Sequence, residues 1–193
     1  MNMQSLALPK EAIVLNQHFP LSEILNLRMC AWYTINPTFK NITNPKDWGD
    51  KFDNHSIHIG VMSADKGVSK LIAATRVTIL HQVEDLTYYK DCRQYLSLLP
   101  SVPFAYISRM VVHPQHRGQG LSHLLDIAEV NEAKAQGCKF VIGFAFARRV
   151  ISLKNIGFKS IGKCPRVCTS TSNLRDRALL QCSPSTEIMV LEL

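Results

Sequence analysis

The chain has 193 residues, the length of one domain, and its 46% hydrophobic and 19% charged content supplies a core and excludes disorder. Twenty-two basic against fifteen acidic side chains leave a net charge of +7, which favours an anionic partner. The longest apolar run, Phe140 to Ala147, is interrupted by Gly143 and is far too short to cross a bilayer.

The start, MNMQSLALPKEAIV, holds one Lys and no apolar stretch of secretory type, so the expectation is a soluble, cytoplasmic domain with no membrane contact. Basic residues do not alternate with aromatics, and the longest basic pairing is Arg148-Arg149, which argues against nucleic acid. The six cysteines, Cys30, Cys92, Cys138, Cys164, Cys168 and Cys182, form no C-x-x-C and have no His at ligand spacing. They are read as reduced thiols, with no metal.

Residues 1–21 are taken as an N-terminal segment. Residues 22–33 are predicted as a helix capped by Ser22, with Leu25, Met29 and Trp32 on one stripe. Pro37, Pro45 and Gly49, among several Asn and Asp, make 36–54 a loop or a set of short helical turns. From Ser56 the period becomes two, with Ile57, Ile59 and Val61 on one face. The turn Asp65-Lys66-Gly67 then returns the chain in a second strand at 70–80, an antiparallel hairpin. A long connection, 82–103, holds a helix around Tyr88 to Leu99 that Pro100 and Pro103 stop.

Strand 104–112 follows, then a loop with two glycines. A helix from Leu121 to about Gln136 carries Leu121, Leu124, Leu125 and Ala128 on one side, and Gly137 ends it. Phe140 to Phe146 reads as a buried strand, 148–155 as a short helix, and Phe158 to Gly162 and Ile188 to Leu193 as final strands. The order describes a mixed α/β sheet in one domain over 1–193.

The informative segment is Val111-Val112-His113-Pro114-Gln115-His116-Arg117-Gly118-Gln119-Gly120-Leu121-Ser122. A strand ends, a glycine loop turns and a helix begins, so loop N–H groups and the unpaired N–H groups of the helix start converge on one anion-sized space. Gly118 and Gly120 let backbone approach an anion with no Cβ in the way. Ser122 adds a hydroxyl donor and Arg117 a positive charge.

That string resembles the GNAT superfamily of acyl-CoA-dependent acyltransferases, whose signature is [Q/R]-x-x-G-x-[G/A] after a strand of V-x-P type. Gln115-x-x-Gly118-x-Gly120 and Val112-His113-Pro114 fit it, and Asn155-Ile156-Gly157-Phe158 resembles the family's late G-F strand start. The resemblance implies a mainly antiparallel sheet flanked by helices and splayed at its central strands, with 104–162 as the CoA-binding core. It implies a CoA thioester as donor and no metal. The pyrophosphate would sit on Gln115, His116, Arg117, Gly118, Gln119, Gly120, Leu121 and Ser122. The pantetheine arm would pair with the backbone of Met110, Val111 and Val112 like an added strand.

The sequence departs from the family where many members carry a Tyr that protonates the leaving thiolate, four residues before the Gly of G-F. Leu153 stands there, and Phe146 stands at an accompanying Asn position. The front half resembles the acyl-homoserine-lactone synthase branch: Arg28, Asp50, Asp53, Arg76, Ser108 and Arg109 form an acceptor-side polar set, with Arg76 expected to pair with one of the aspartates. His58, Glu84 and Asp85 are candidate bases for an amine that must be neutral to attack; His113 is read as a loop-shaping residue. The expected activity is transfer of an acetyl group to a primary amine of a small molecule or peptide. The alternatives are a longer-chain N-acyl synthase, which needs an open apolar pocket beside 82–103, and a CoA-binding module without catalysis. The sequence names neither the acceptor nor the oligomeric state.

Overall fold

The structure is a computed structural model, and it describes residues 10–65, 68–165 and 185–193. In chain order its elements are strand β1 (Ala12–Val14), helix α1 (Leu21–Tyr33), strands β2 (Ile57–Asp65) and β3 (Val68–Leu80), and helix α2 (Tyr89–Leu96). Then come strand β4 (Phe104–Val112), helix α3 (Leu121–Ala135), strand β5 (Phe140–Ala145), helix α4 (Ala147–Asn155), and strands β6 (Lys159–Pro165) and β7 (Ser185–Glu192). The strands form one sheet in the order β1-β2-β3-β4-β5-β7-β6, antiparallel everywhere except at β4–β5. This is the mixed, mainly antiparallel sheet that the family resemblance implies.

Alternation along the strands decides which helix covers which face. Ala105, Ile107 and Val141 join Leu121, Leu125, Val150 and Leu153 in a core under α3 and α4. Their neighbours Phe104, Tyr106, Phe140 and Ile142 pack instead with Cys92 and Leu96 of α2. Leu71, Ala74 and Val111 pack against Ile24, Leu27 and Ala31 of α1, on the α2 side of the sheet. On β3, Thr75 therefore faces α3 while Arg76, in step with Ala74 and Thr78, faces α1.

Several boundaries differ from the sequence reading. Strand β1 was not expected: its three residues sit on the sheet edge, with Ile13 and Val14 43% and 52% exposed, too short and too exposed to show a period. Pro20, not Ser22, is at the N-cap of α1, and no side chain caps that helix. In the loop after it, Asn36 and Asn44 accept from the N–H groups of Thr38 and Lys46 and start two short helical turns. Gly137, at φ 72°, follows α3 as expected. Among the described residues no helix is long and apolar enough to cross a membrane.

The reading of every cysteine as a reduced thiol is corrected at one pair. Cys92 of α2 and Cys164 of β6, with Cα atoms 5.4 Å apart, form a disulfide that closes a separation of 72 residues. In the chain-entropy view a loop of that length constrains the unfolded chain by about 4 kcal/mol. Such bonds are rare in reducing compartments; here both residues are fully buried, which shields the bond from external thiols. Cys30 and Cys138 are free, and Cys168 and Cys182 lie outside the described residues.

Candidate active site

The sheet opens at its centre. β4 and β5 pair only from Phe104↔Phe140 to Ile107↔Gly143. Beyond that point β5 keeps its pairing with β7 and β4 keeps its pairing with β3, but not with each other. The cause is an extra residue on β4: Arg76 and Ala74 of β3 oppose Ser108 and Val111, so β4 carries three steps against two. Arg109, the one non-glycine residue with positive φ (62°) among those described, sits in that bulge. A bulge bends its strand and strengthens the local twist, which carries the end of β4 away from β5. A cavity of about 580 Å³ fills the splay, and Met110, Val111 and Val112 line it along the unpaired edge of β4.

At one end of the cavity lies the glycine loop. The His113 ring accepts from the Gln115 N–H at 3.4 Å and shapes the turn Pro114–His116, the role the sequence assigned it. Gly118 and Gly120 have φ of 75° and 74°, and a Cβ at either would meet no atom within 4 Å. The side of the loop on which either Cβ would stand is thus open space, at the start of α3 where first-turn N–H groups have no helical acceptor. His116, Arg117, Gly118, Gly120, Leu121 and Ser122 line the cavity, whereas Gln115 is exposed and Gln119 bonds Lys10. Arg117 does more than add charge. Its guanidinium donates to Ala31 O at 2.6 Å and Thr34 Oγ1 at 2.9 Å, tying the loop to the C-terminal end of α1.

At the other end lies the polar set. Asp53 accepts two bonds from Arg28 (2.8 and 3.0 Å), one from Arg76 (2.9 Å) and one from the Asp50 N–H (2.8 Å). Asp50 takes Arg76 on both oxygens (2.5 and 3.1 Å) and Arg109 on one. Arg76 Nε donates to Ser108 Oγ at 3.1 Å. The structure thus gathers all six predicted acceptor-side residues into one network, and Arg76 pairs with both aspartates. Burial alone would raise the Asp53 carboxyl, but the Arg28 and Arg76 guanidiniums reverse that and hold it at about 2; Asp50 is lowered in the same way by Arg76 and Arg109. Arg28, Ser108 and Arg109 reach the cavity wall, while Arg76, 1% exposed, braces them from behind.

The candidate bases lie elsewhere. Glu84 and Asp85 are exposed on a short turn, and neither lines the cavity. His58 Nε2 donates to the Asp53 carbonyl at 3.0 Å outside the cavity wall, and burial lowers its pKa, which keeps it neutral. Phe146 and Leu153 do line the cavity, Phe146 edge-on to Trp32. Leu153 is 2% exposed and also belongs to the main core. Leu153→Tyr is therefore expected to lower Tm by several degrees, since an unpartnered buried hydroxyl costs about 1–3 kcal/mol. A thermal melt unchanged from wild type would show that the cavity takes the ring and hydroxyl freely.

Sequence reasoning missed two contributors. Tyr88, Tyr106 and Phe144 close the back of the splay, with ring centroids 5.0 and 6.0 Å from Phe144. Glu129 of α3 stands in the cavity wall, fully buried, its carboxyl pushed up to about 8 chiefly by burial. Its signal was present: Leu121, Leu125, Glu129 and Ala133 recur every four residues, which places a carboxyl on the buried stripe of α3.

Residues 38–126 match the family model of the acetyltransferase (GNAT) domain, a stretch that runs from the loop after α1 through the bulged strand and the glycine loop into α3. Solved structures share the fold along nearly the whole chain. A phosphinothricin acetyltransferase from Sinorhizobium meliloti, in complex with AcCoA, superposes with a TM-score of 0.60 at 11% identity over 95% of this chain and 88% of that one. NAA60 from Arabidopsis thaliana, in complex with acetyl-CoA, gives 0.57 at 14% identity over 96% and 99%. An agmatine N-acetyltransferase in its apo form gives 0.59 at 14% identity over 95% and 100%. No curated protein matches the chain by sequence. Residues 38–126, which hold the same bulge and loop that open the cavity, carry the likeness to the acetyltransferase (GNAT) domain, and the fold shared with the solved structures continues beyond them.

Proposed function

We propose that the chain transfers the acetyl group of acetyl-CoA to a neutral primary amine, on a small molecule or a peptide, by direct attack in a ternary complex. The observation that carries this reading is the continuity of one 580 Å³ cavity from Gly118 and Gly120, along the unpaired edge of β4, to Arg109 and Ser108. The loop and the first turn of α3 hold the pyrophosphate, and the backbone of Met110, Val111 and Val112 pairs with the pantetheine amides as a strand would. A backbone N–H near Val111 polarises the thioester carbonyl as charge develops on its oxygen. Among the described residues the cavity wall holds no cysteine, in keeping with direct transfer rather than a thioester on the protein. Tyr88, Tyr106 and Phe144 close the space behind the splay, and the 82–103 connection packs into the α2 core, which favours a short acyl group over a long chain.

A panel of primary amines tested against acetyl-CoA, butanoyl-CoA and octanoyl-CoA, with released thiol as readout, checks the reading. Turnover is expected with acetyl-CoA and intersecting initial-rate lines with an active amine. Release only from octanoyl-CoA would favour the longer-chain synthase, and no release with any pair would refute the assignment. Binding gives a second check. Gly118→Val combined with Gly120→Val forces β-branched residues into left-handed backbone and places methyl groups in the anion space. Acetyl-CoA affinity is expected to fall by several kcal/mol, at least a hundredfold, while circular dichroism stays native. Calorimetry showing wild-type affinity in that folded variant would remove the loop from the site.

A further inference from the structure

In the acyltransfer reading, Leu153 stands where the resemblance implies a tyrosine that protonates the departing sulfur. The same cavity wall holds one carboxyl. Glu129 is 1% exposed, shares a hydrogen bond with the Thr75 hydroxyl through Oε1, and has no partner at Oε2 among the described residues. Thr75 Oγ1 also lies 3.4 Å from the Ser108 carbonyl, at the foot of the β4 bulge. If the Thr75 proton serves that carbonyl, its oxygen is left to accept from a protonated Glu129. The acceptor network lies on the α1 side of the sheet, and Glu129 lies on the α3 side with Leu153. An amine arriving through the network and a proton arriving from Glu129 thus approach the splay from opposite faces.

We propose that Glu129 is the proton donor to the leaving thiolate, an inference that rests on the acetyl-CoA reading above. The amine nitrogen bonds to the carbonyl carbon, the C–S bond breaks with its electron pair on sulfur, and the Glu129 proton moves to that sulfur. The new amide nitrogen releases its surplus proton to solvent, and the Glu129 carboxylate takes one back, so amine and thioester become amide and thiol with nothing left over. Burial keeps the carboxyl neutral up to about pH 8, close to the ordinary range of a thiol, so the transfer is nearly level. The charged groups acting on it are Asp126 of its own helix and Arg149 of α4, which pair with each other. Thr75 of β3 is its hydrogen-bond partner, and the core under α3 is apolar, with Ile59, Val77 and Val141 among its members.

Infrared difference spectroscopy of the full chain tests this directly. At neutral pH wild type is expected to show the carbonyl stretch of a protonated carboxylic acid, absent in Glu129→Gln. That band is expected to shift when CoA binds and to stay in place when adenosine 3′,5′-bisphosphate binds, because only CoA carries the sulfur. In turnover, Glu129→Gln is expected to lose about 10²–10⁴ in kcat. KM for acetyl-CoA should stay within about twofold, and the fall in rate above pH 8 should disappear, which a merely structural role would not produce. Should Glu129→Gln not fold, Glu129→Asp assigns the band. A band that CoA binding leaves unmoved, or wild-type kcat in Glu129→Gln, overturns the proposal while the acetyltransferase reading stands. Failure of CoA to bind wild type in calorimetry overturns both.

Discussion

Asp53→Ala is expected to destabilise the chain by about 3–5 kcal/mol, the usual consequence of stranding a buried charge. Asp53 is the hub on which Arg28 and Arg76 converge, and those guanidiniums are 2% and 1% exposed. Removal of the carboxylate leaves both cations buried, with Asp50 as the remaining anion of the network, itself shared with Arg109. Urea titration measures the loss, and an unchanged midpoint would mean that the network contributes nothing net. The pH dependence follows with its sign. Asp53 sits at about 2 when folded, below its ordinary value of 3.8, so its stabilisation is present above pH 4 and is lost as pH falls toward 2. Asp50, lowered in the same direction, adds to that acid limb. In Asp53→Ala the limb should be shallower.

This network was legible in the sequence because charged residues are rarely covered without partners. A mid-strand Arg76 in step with Ala74 demanded a carboxylate, and Asp50 and Asp53 stood in the loop that precedes the hairpin. The glycine loop was legible because its spacing encodes backbone that only glycine adopts easily, and φ values of 75° and 74° bear that out. What stayed hidden depends on distant register. The splay arises from one extra residue at Arg109, and no local pattern in Tyr106 to Val112 marks a bulge whose partner strand ends well upstream at Leu80. The Cys92–Cys164 bond likewise needs α2 set against β6, a juxtaposition that cysteine spacing alone cannot specify. Glu84 and Asp85 were plausible bases by chemistry and lost the role to geometry, since their short turn faces outward.

Glu129 supplies the opposite stability limb, and Glu129→Gln is expected to reverse sign with pH. A carboxyl whose folded pKa is raised, here from 4.5 to about 8, favours folding fully only below its unfolded value, and that contribution drains away as pH climbs through the folded one. Each pH unit in that window removes at most about 1.4 kcal/mol, so wild type should lose a few kcal/mol between pH 5 and pH 8. Gln has nearly the same shape and no proton to lose. At pH 5 it should match wild type or fall slightly below it, since an amide meets the Thr75 hydroxyl less well than a protonated acid does. At pH 8.5 it should be the more stable protein. Asp126, whose carboxyl burial also raises, titrates in both proteins and acts on Glu129, so the difference between the two stability curves reports Glu129 together with its coupling to Asp126. Urea midpoints at pH 5, 7 and 8.5 give that difference. A flat difference would mean that water or a shift of α3 solvates the carboxyl, and the neutral acid needed to protonate a leaving sulfur would then be absent at the pH of turnover.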